Sequence, residues 1–187
     1  FEVDPHTVLG WLVEAAEHLA TFTRYHLRHL HVEQVQMDEL FALLSAVKDG
    51  EVSERQAIKR LSRSPNWVWV AMDPVCKRIL AVDVGDRTLA MAQRLVHQVT
   101  QVLALHCAPL FLTDGLRDYL TALVTHYGQW MQPKRRHDTG PQPKIRWMPA
   151  PGLLYAQVVK RYRRRRLVGV THRVIFGPAA TIASLLA

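Results

Sequence analysis

The stretch Pro109–Gly115, PLFLTDG, decides how the rest of the chain is read. Its apolar run Leu110–Leu112 leads through Thr113 into Asp114 and Gly115. That pattern predicts a short buried strand ending on a carboxylate, with a glycine that lets the backbone turn away. In an open α/β sheet, ligands bind outside the carboxyl ends of the strands, so a carboxylate there suits a metal or an acid–base task. It suits equally well the cap of a helix beginning near Leu116. What the flanking segments bring to the same edge weighs one reading against the other.

Upstream, Gly85-Asp86-Arg87-Thr88 closes a strand and starts a helix from about Leu89 to Leu105. Before it stands a hairpin: Trp67–Met72 and Arg78–Val84 are β-branched and aromatic runs joined by Asp73–Lys77. Further back, Val32–Met37 alternates weakly and reads as a strand running into Asp38 and Glu39. Leu40–Val47 follows at helical or irregular spacing, and Ser53–Leu61 reads as a short polar helix. Asp4-Pro5 reads as a helix start, an N-cap and a first-turn proline. Val8, Leu12, Ala15, Leu19 and Phe22 then recur at helical spacing, for an amphipathic helix to about Leu30. His26, His29 and His31 lack an acidic or cysteine partner at ligand spacing and read as exposed helix-end histidines.

Downstream, Leu116–Tyr127 is a helix and Gln129–Gln132 a short strand. Pro133–Pro151, with five prolines and five Lys/Arg, reads as an extended basic loop. Periodicity resumes over Leu153–Tyr162, the basic run Arg163–Arg166 follows, Leu167–Phe176 is a strand and Pro178–Ala187 opens a helix. A strand with a carboxylate, an antiparallel hairpin, then a helix crossing to a parallel strand with a second carboxylate is the skeleton of a ribonuclease H-like α/β fold. The expected architecture is a mixed sheet flanked by helices, with an N-terminal helical segment over 1–31 and the main domain over 32–187.

Of the 187 residues, 49% are hydrophobic and 21% charged, the balance of an ordinary folded protein. The formal charge of +8 is unevenly spread: residues 1–132 carry 12 Lys/Arg against 15 Asp/Glu, and residues 133–187 carry 12 against 1. An acidic body with a basic end fits a nucleic-acid enzyme, carboxylates for metal and arginines for phosphate. Cys76 and Cys107 lie far apart without ligand spacing and read as buried thiols of a reducing compartment. No run reads as a signal peptide or membrane span, so the expected location is cytoplasmic, at the nucleoid.

Asp38 and Asp114 each end a predicted strand. If those strands are neighbours, the two carboxylates meet and repel, which a divalent ion relieves. Mg²⁺ or Mn²⁺ prefers carboxylate and water oxygens, and a pair of such ions catalyses phosphodiester displacement. Asp38 alternatively caps the apolar segment after it. Asp73 reads as a turn residue, Asp83 as a solvent-facing strand residue and Asp86 as a helix cap.

The segments VQMDEL (Val35–Leu40), WVWVAMDPVCKRILAVDVGDRT (Trp67–Thr88) and PLFLTDG (Pro109–Gly115) resemble DDE-type transposases of bacterial insertion sequences, with the insertion-sequence-one group as the nearest likeness. The likeness runs from about Val3 to Phe176, and the opening VDPHTVLGWLVEAA resembles the end of a helix-turn-helix. It implies a DNA transposase that cuts and joins transposon ends with two Mg²⁺ or Mn²⁺ ions, without a small-molecule cofactor. Asp38 and Asp114 match the first two catalytic, metal-binding carboxylates. RRRRLVGVTHRVIFG (Arg163–Gly177) resembles the basic stretch upstream of the third, a late Glu that this sequence lacks, so the chain reads as C-terminally incomplete. The implied expectation is a chain that binds DNA and holds Mn²⁺ weakly without cleaving. Lys134, Arg135, Arg136, Lys144, Arg146, Arg163, Arg164, Arg165 and Arg166 are the expected DNA contacts. A homo-oligomer is compatible with this reading. Its alternatives are a non-catalytic DNA-binding regulator and a ribonuclease H-like nuclease outside transposition.

Overall fold

The computed structural model describes residues 3–41, 67–135, 142–164 and 166–186. The sequence-predicted segments Leu43–Val47 and Ser53–Leu61 lie outside the described residues.

The chain forms an α/β fold around a mixed six-stranded sheet. In order, the elements are α1 (Pro5–His26), β1 (Gln34–Phe41), β2 (Trp67–Asp73), β3 (Arg78–Gly85), α2 (Leu89–Val102), β4 (Leu110–Thr113), α3 (Arg117–His126), β5 (Gly128–Met131), β6 (Arg146–Pro149), β7 (Leu154–Arg163), β8 (Arg166–Phe176) and α4 (Ala179–Leu185). The sheet runs β3-β2-β1-β4-β7-β8, while β5 and β6 form a separate pair. β1, β4 and β7 are mutually parallel, and the hairpins β2–β3 and β7–β8 flank them antiparallel.

β4 is buried along all four residues, as a central parallel strand must be. Phe111 and Thr113 face the side covered by α2 and α3, and Leu110 and Leu112 face the other. On the first side Met91, Ala92, Leu95, Val96 and Val99 of α2 and Tyr119, Ala122 and Leu123 of α3 pack on Val35, Met37, Trp69, Ala71, Phe111 and Tyr155. Each large side chain so buried contributes roughly 1.5–3 kcal/mol. The second side has a smaller core of Leu110, Leu112, Ala156 and Ile182, the last from α4.

Several boundaries differ from those expected. β1 continues past Met37 to Phe41, because Val35, Met37 and Glu39 keep alternating inward against Gln36, Asp38 and Leu40. Asp38 is therefore a mid-strand residue paired with Val70, and no helix begins there for it to cap. α1 stops at His26, followed by His29 in the left-handed region at φ 53°. Asp4 accepts the His6 N–H at 3.1 Å, the expected cap. Val8, Leu12, Leu19 and Phe22 remain exposed, so the amphipathic face expected of α1 is not buried against the described residues. α2 ends three residues early, where Leu103 turns extended at ψ 148°. The basic segment 133–151 is not all loop: Arg146–Pro149 pairs with Gly128–Met131, and Trp147 Nε1 donates to the Val124 carbonyl at 2.8 Å. Cys76 lies exposed in the β2–β3 turn, not buried, and Cys107 is half-buried. Among the described residues, no helix is long and apolar enough to cross a membrane.

Candidate metal centre

The parallel ladder between β1 and β4 pairs Gln36 with Leu112. Two residues further along each strand direction stand Asp38 and Asp114. β4 ends at Thr113, and Gly115 at φ 108° turns the chain away immediately after Asp114, a conformation that L side chains rarely adopt. Asp114 Oδ1 accepts the Leu116 N–H at 3.0 Å and Asp38 Oδ1 accepts the Glu39 N–H at 2.9 Å. These bonds orient both carboxylates while leaving their second oxygens for other partners.

Glu39 joins them. One carboxylate oxygen from each of Asp38, Glu39 and Asp114 lies within 4.8 Å of the other two, and among the described residues no other group of three acidic, His or Cys side chains converges this way. The cluster is graded from core to solvent: Glu39 buried, Asp38 half-buried, Asp114 exposed. Glu39 faces inward because it continues the alternation of Val35 and Met37. Its burial is made tolerable by Arg87, whose Nε and a terminal nitrogen donate to Glu39 Oε1 at 2.8 and 2.5 Å. Arg87 is held in turn over the Trp67 ring at 4.9 Å.

This pairing leaves the site unsatisfied. Glu39 Oε2 and the hydroxyl of fully buried Tyr119 are both sealed from solvent without a hydrogen bond of ordinary geometry, though the two groups lie near enough to interact with each other. Burial first, and then the Asp114 charge, push the Glu39 carboxyl above its ordinary range against the pull of Arg87. Burial, with the Glu39 charge behind it, raises the Tyr119 phenol as well. A buried acceptor with no donor costs free energy in this arrangement, and a cation seated among the three carboxylates would relieve it. The donor set is all carboxylate oxygen, which fits a hard divalent ion such as Mg²⁺ or Mn²⁺.

Behind β4 runs a polar relay. The Gly115 N–H donates to Thr113 Oγ1 at 3.3 Å, Thr113 Oγ1 and the Tyr155 hydroxyl share a bond of 2.9 Å, and Gln157 Nε2 donates to that hydroxyl at 3.0 Å. Arg173 of β8 donates to Gln157 Oε1, through Nε at 3.1 Å. The relay ties the turn that carries Asp114 to β7 and β8.

The structure thus brings together Asp38 and Asp114, and adds Glu39, which sequence reasoning passed over. The signal was present: continuing the inward alternation of β1 by one step lands on Glu39. Asp73 takes the Val75 and Cys76 N–H groups at 3.0 and 3.3 Å, a turn residue as expected. Asp83 does not face solvent; it pairs with Arg94 at 2.6 Å and accepts from Gln98, both on α2. Thr88, not Asp86, occupies the N-cap position of α2. His26, His29 and His31 are exposed and outside the acidic group.

Comparison with known proteins finds nothing. No family model, curated protein or solved structure matches this chain.

The expected DNA contacts divide into two places. Lys134, Arg135, Lys144 and Arg146 are exposed around β5 and β6, and Arg163, Arg164 and Arg166 are exposed at the tip of the β7–β8 hairpin. Arg136 and Arg165 lie outside the described residues.

Proposed function

We propose that this chain carries the metal-dependent phosphodiester chemistry of a DNA transposase of the DDE type. The observation that carries the reading is the meeting of Asp38, Glu39 and Asp114 within 4.8 Å where β4 ends beside the continuing parallel strand β1. The strand order supports it: an antiparallel hairpin beside β1, then parallel β4 and β7, is the arrangement of a ribonuclease H-like sheet. The basic surfaces around β5–β6 and on the β7–β8 hairpin supply cations for a polyanionic substrate.

Asp38, Glu39 and Asp114 would hold Mg²⁺ or Mn²⁺. When bound, such ions activate the attacking oxygen and stabilise the leaving oxygen of a phosphodiester. Asp38 and Asp114 present carboxylate oxygens oriented by their own backbone bonds. Arg87 occupies one oxygen of Glu39 and leaves the other free. The relay from Arg173 through Gln157 and Tyr155 to Thr113 holds the turn beneath Asp114 in place. The expectation of inactivity rested on a missing third carboxylate, and Glu39 stands where it can serve as one.

The test is strand cleavage of duplex DNA carrying the element's ends, with Mn²⁺, beside Asp114→Ala and Asp38→Ala. Cleavage lost in both variants supports the reading. Duplex binding without cleavage at any Mn²⁺ concentration overturns it in favour of a non-catalytic DNA-binding protein.

A further inference from the structure

β7 runs well past its neighbour β4. Its pairing with β4 covers Leu154–Gln157 and stops at the last residue of β4, Thr113. Val158–Arg163 continue beyond that edge, and among the described strands their only partner is β8, from His172 back to Arg166. The result is a two-stranded ribbon projecting past the end of β4, where Asp114 stands, with β1 and its partners β2 and β3 continuing past the same level on the other side, β1 as far as Phe41. At about 3.3 Å per residue, the six residues Val158–Arg163 reach about 20 Å.

The two faces of the ribbon differ in chemistry. Register pairs Gln157 with Arg173, Val159 with Thr171, Arg161 with Gly169 and Arg163 with Arg166, and paired residues share a face. One face therefore bears Arg161, Arg163, Arg166 and Arg173, and the bulge between Arg161 and Tyr162 keeps Arg166 in step with the others. The opposite face bears Val158, Lys160, Leu167, Val170 and His172, a single lysine among mostly apolar residues. No carboxylate lies anywhere between Val158 and Phe176. Arg164 sits in the tip with φ 48°, a conformation that asparagine or glycine adopts far more readily than arginine. The turn thus carries charge in place of the residue its geometry favours.

We propose that this ribbon binds duplex DNA through its arginine face and lays the backbone across the carboxylate edge, an inference that rests on the functional reading above. A two-stranded ribbon is the right width for the major groove of B-form DNA, whereas the deep, narrow major groove of A-form RNA excludes it. Arginines on alternate residues of a strand stand about 7 Å apart, a spacing suited to successive phosphates. Arg173 also bonds Gln157, so the ribbon's base is joined to the relay behind Asp114.

The test uses the full chain and a fluorescent 30-base-pair duplex, followed by anisotropy in EDTA over a salt series, where no metal contributes. The variant Arg161→Gln/Arg163→Gln/Arg166→Gln is expected to bind at least tenfold more weakly, with a salt slope shallower by about 2.7, or about 0.9 for each phosphate left unneutralised. Lys77→Gln/Arg78→Gln, where the β2–β3 turn enters β3 at the opposite edge of the sheet, is expected to change affinity less than threefold. The single variant Arg161→Glu, at an exposed position, is expected to reproduce the direction of the loss without disturbing the fold. Unchanged affinity and slope in the triple variant would overturn the proposal, as would tighter binding to an RNA duplex of the same sequence. Mn²⁺ titration of the unsubstituted chain separates the two readings. Ribbon-dependent DNA binding without Mn²⁺ binding would remove the phosphodiester chemistry and keep the ribbon, and the reverse would remove the ribbon alone.

Discussion

Asp38 of β1 and Asp114 after β4 lie on adjacent parallel strands, each two residues past the paired positions Gln36 and Leu112. Their carboxylates stand within 4.8 Å of each other and of Glu39. Three like charges this close are held together by the fold at an electrostatic cost, which a divalent cation offsets. Asp38→Asn and Asp114→Asn are each expected to weaken Mn²⁺ binding by at least the roughly 10–100-fold lost when supporting residues of a metal site are removed. Calorimetric titration measures this. Equal Mn²⁺ affinity in both variants and the unsubstituted chain would locate the metal elsewhere.

Glu39→Gln separates metal binding from stability. The neutral isostere keeps an acceptor for Arg87 and removes a buried carboxylate whose pKa burial has raised. In EDTA at neutral pH the variant is expected to melt no lower than the unsubstituted chain, and its Tm is expected to stop responding to added Mn²⁺. A strongly lowered Tm in EDTA would mean that the Arg87 pair stabilises the fold through the charge itself.

Tyr119→Phe examines the second orphaned atom. The ring is fully buried and packs edge-on against Trp69, centroids 5.7 Å apart, and phenylalanine preserves that contact. Removing a buried hydroxyl that meets the neighbouring Glu39 carboxylate without ordinary hydrogen-bond geometry is expected to stabilise the chain by about 1 kcal/mol, since leaving a hydroxyl unpaired costs roughly 1–3. Urea denaturation decides. A loss of similar size would show that the hydroxyl has found a hydrogen bond.

Much of this was legible in sequence, and the exceptions have physical causes. The hairpin Trp67–Val84 and the strand at Leu110 stood out because β-branched and aromatic runs between turn residues have few alternatives. Asp114 at a strand end was visible because Gly115 breaks the strand. Glu39 was not, because an inward-facing carboxylate defies hydrophobic alternation until Arg87, 48 residues away, is known to pair with it. The projecting ribbon was hidden for a similar reason. Strand length is written in the local pattern, but overhang depends on β4 being four residues long against ten in β7. The strand at Arg146–Pro149 was masked by its prolines and charges, since its pairing with Gly128–Met131 supplies what propensity does not.

Gly128 is the point on which that small sheet depends. A Cβ there would lie 2.3 Å from the Val124 carbonyl oxygen and 2.2 Å from Trp147 Nε1, the two partners of one hydrogen bond. Backbone cannot yield to that clash, so Gly128→Ala is expected to cost about 1–3 kcal/mol, the usual range for overpacking. Trp147, already 42% exposed, should shift its fluorescence further to the red as its indole loses the Val124 carbonyl. An unshifted spectrum with full stability would mean that β5 and β6 adjust freely.

Tyr127 makes the chain's stability depend on alkaline pH. Its half-buried ring lies 5.1 Å from Phe111, and burial, aided by nearby Cys107, pushes its phenol up to about 12. The unfolded chain releases this proton near pH 10, whereas the folded chain keeps it. The folded state therefore binds more protons across the interval, and stability falls as pH rises from 10 to 12. The stabilisation is fully present below pH 10, and its loss approaches an order of 2 kcal/mol at complete ionisation. Tyr127→Phe is expected to leave stability at pH 7 nearly unchanged and to make its decline between pH 9 and 11.5 shallower. Tyr119 and Tyr155, also raised by burial, keep part of that decline in the variant. Urea unfolding at a series of pH values measures the difference, and identical pH profiles would show that Tyr127 ionises in the folded chain as freely as in the unfolded one.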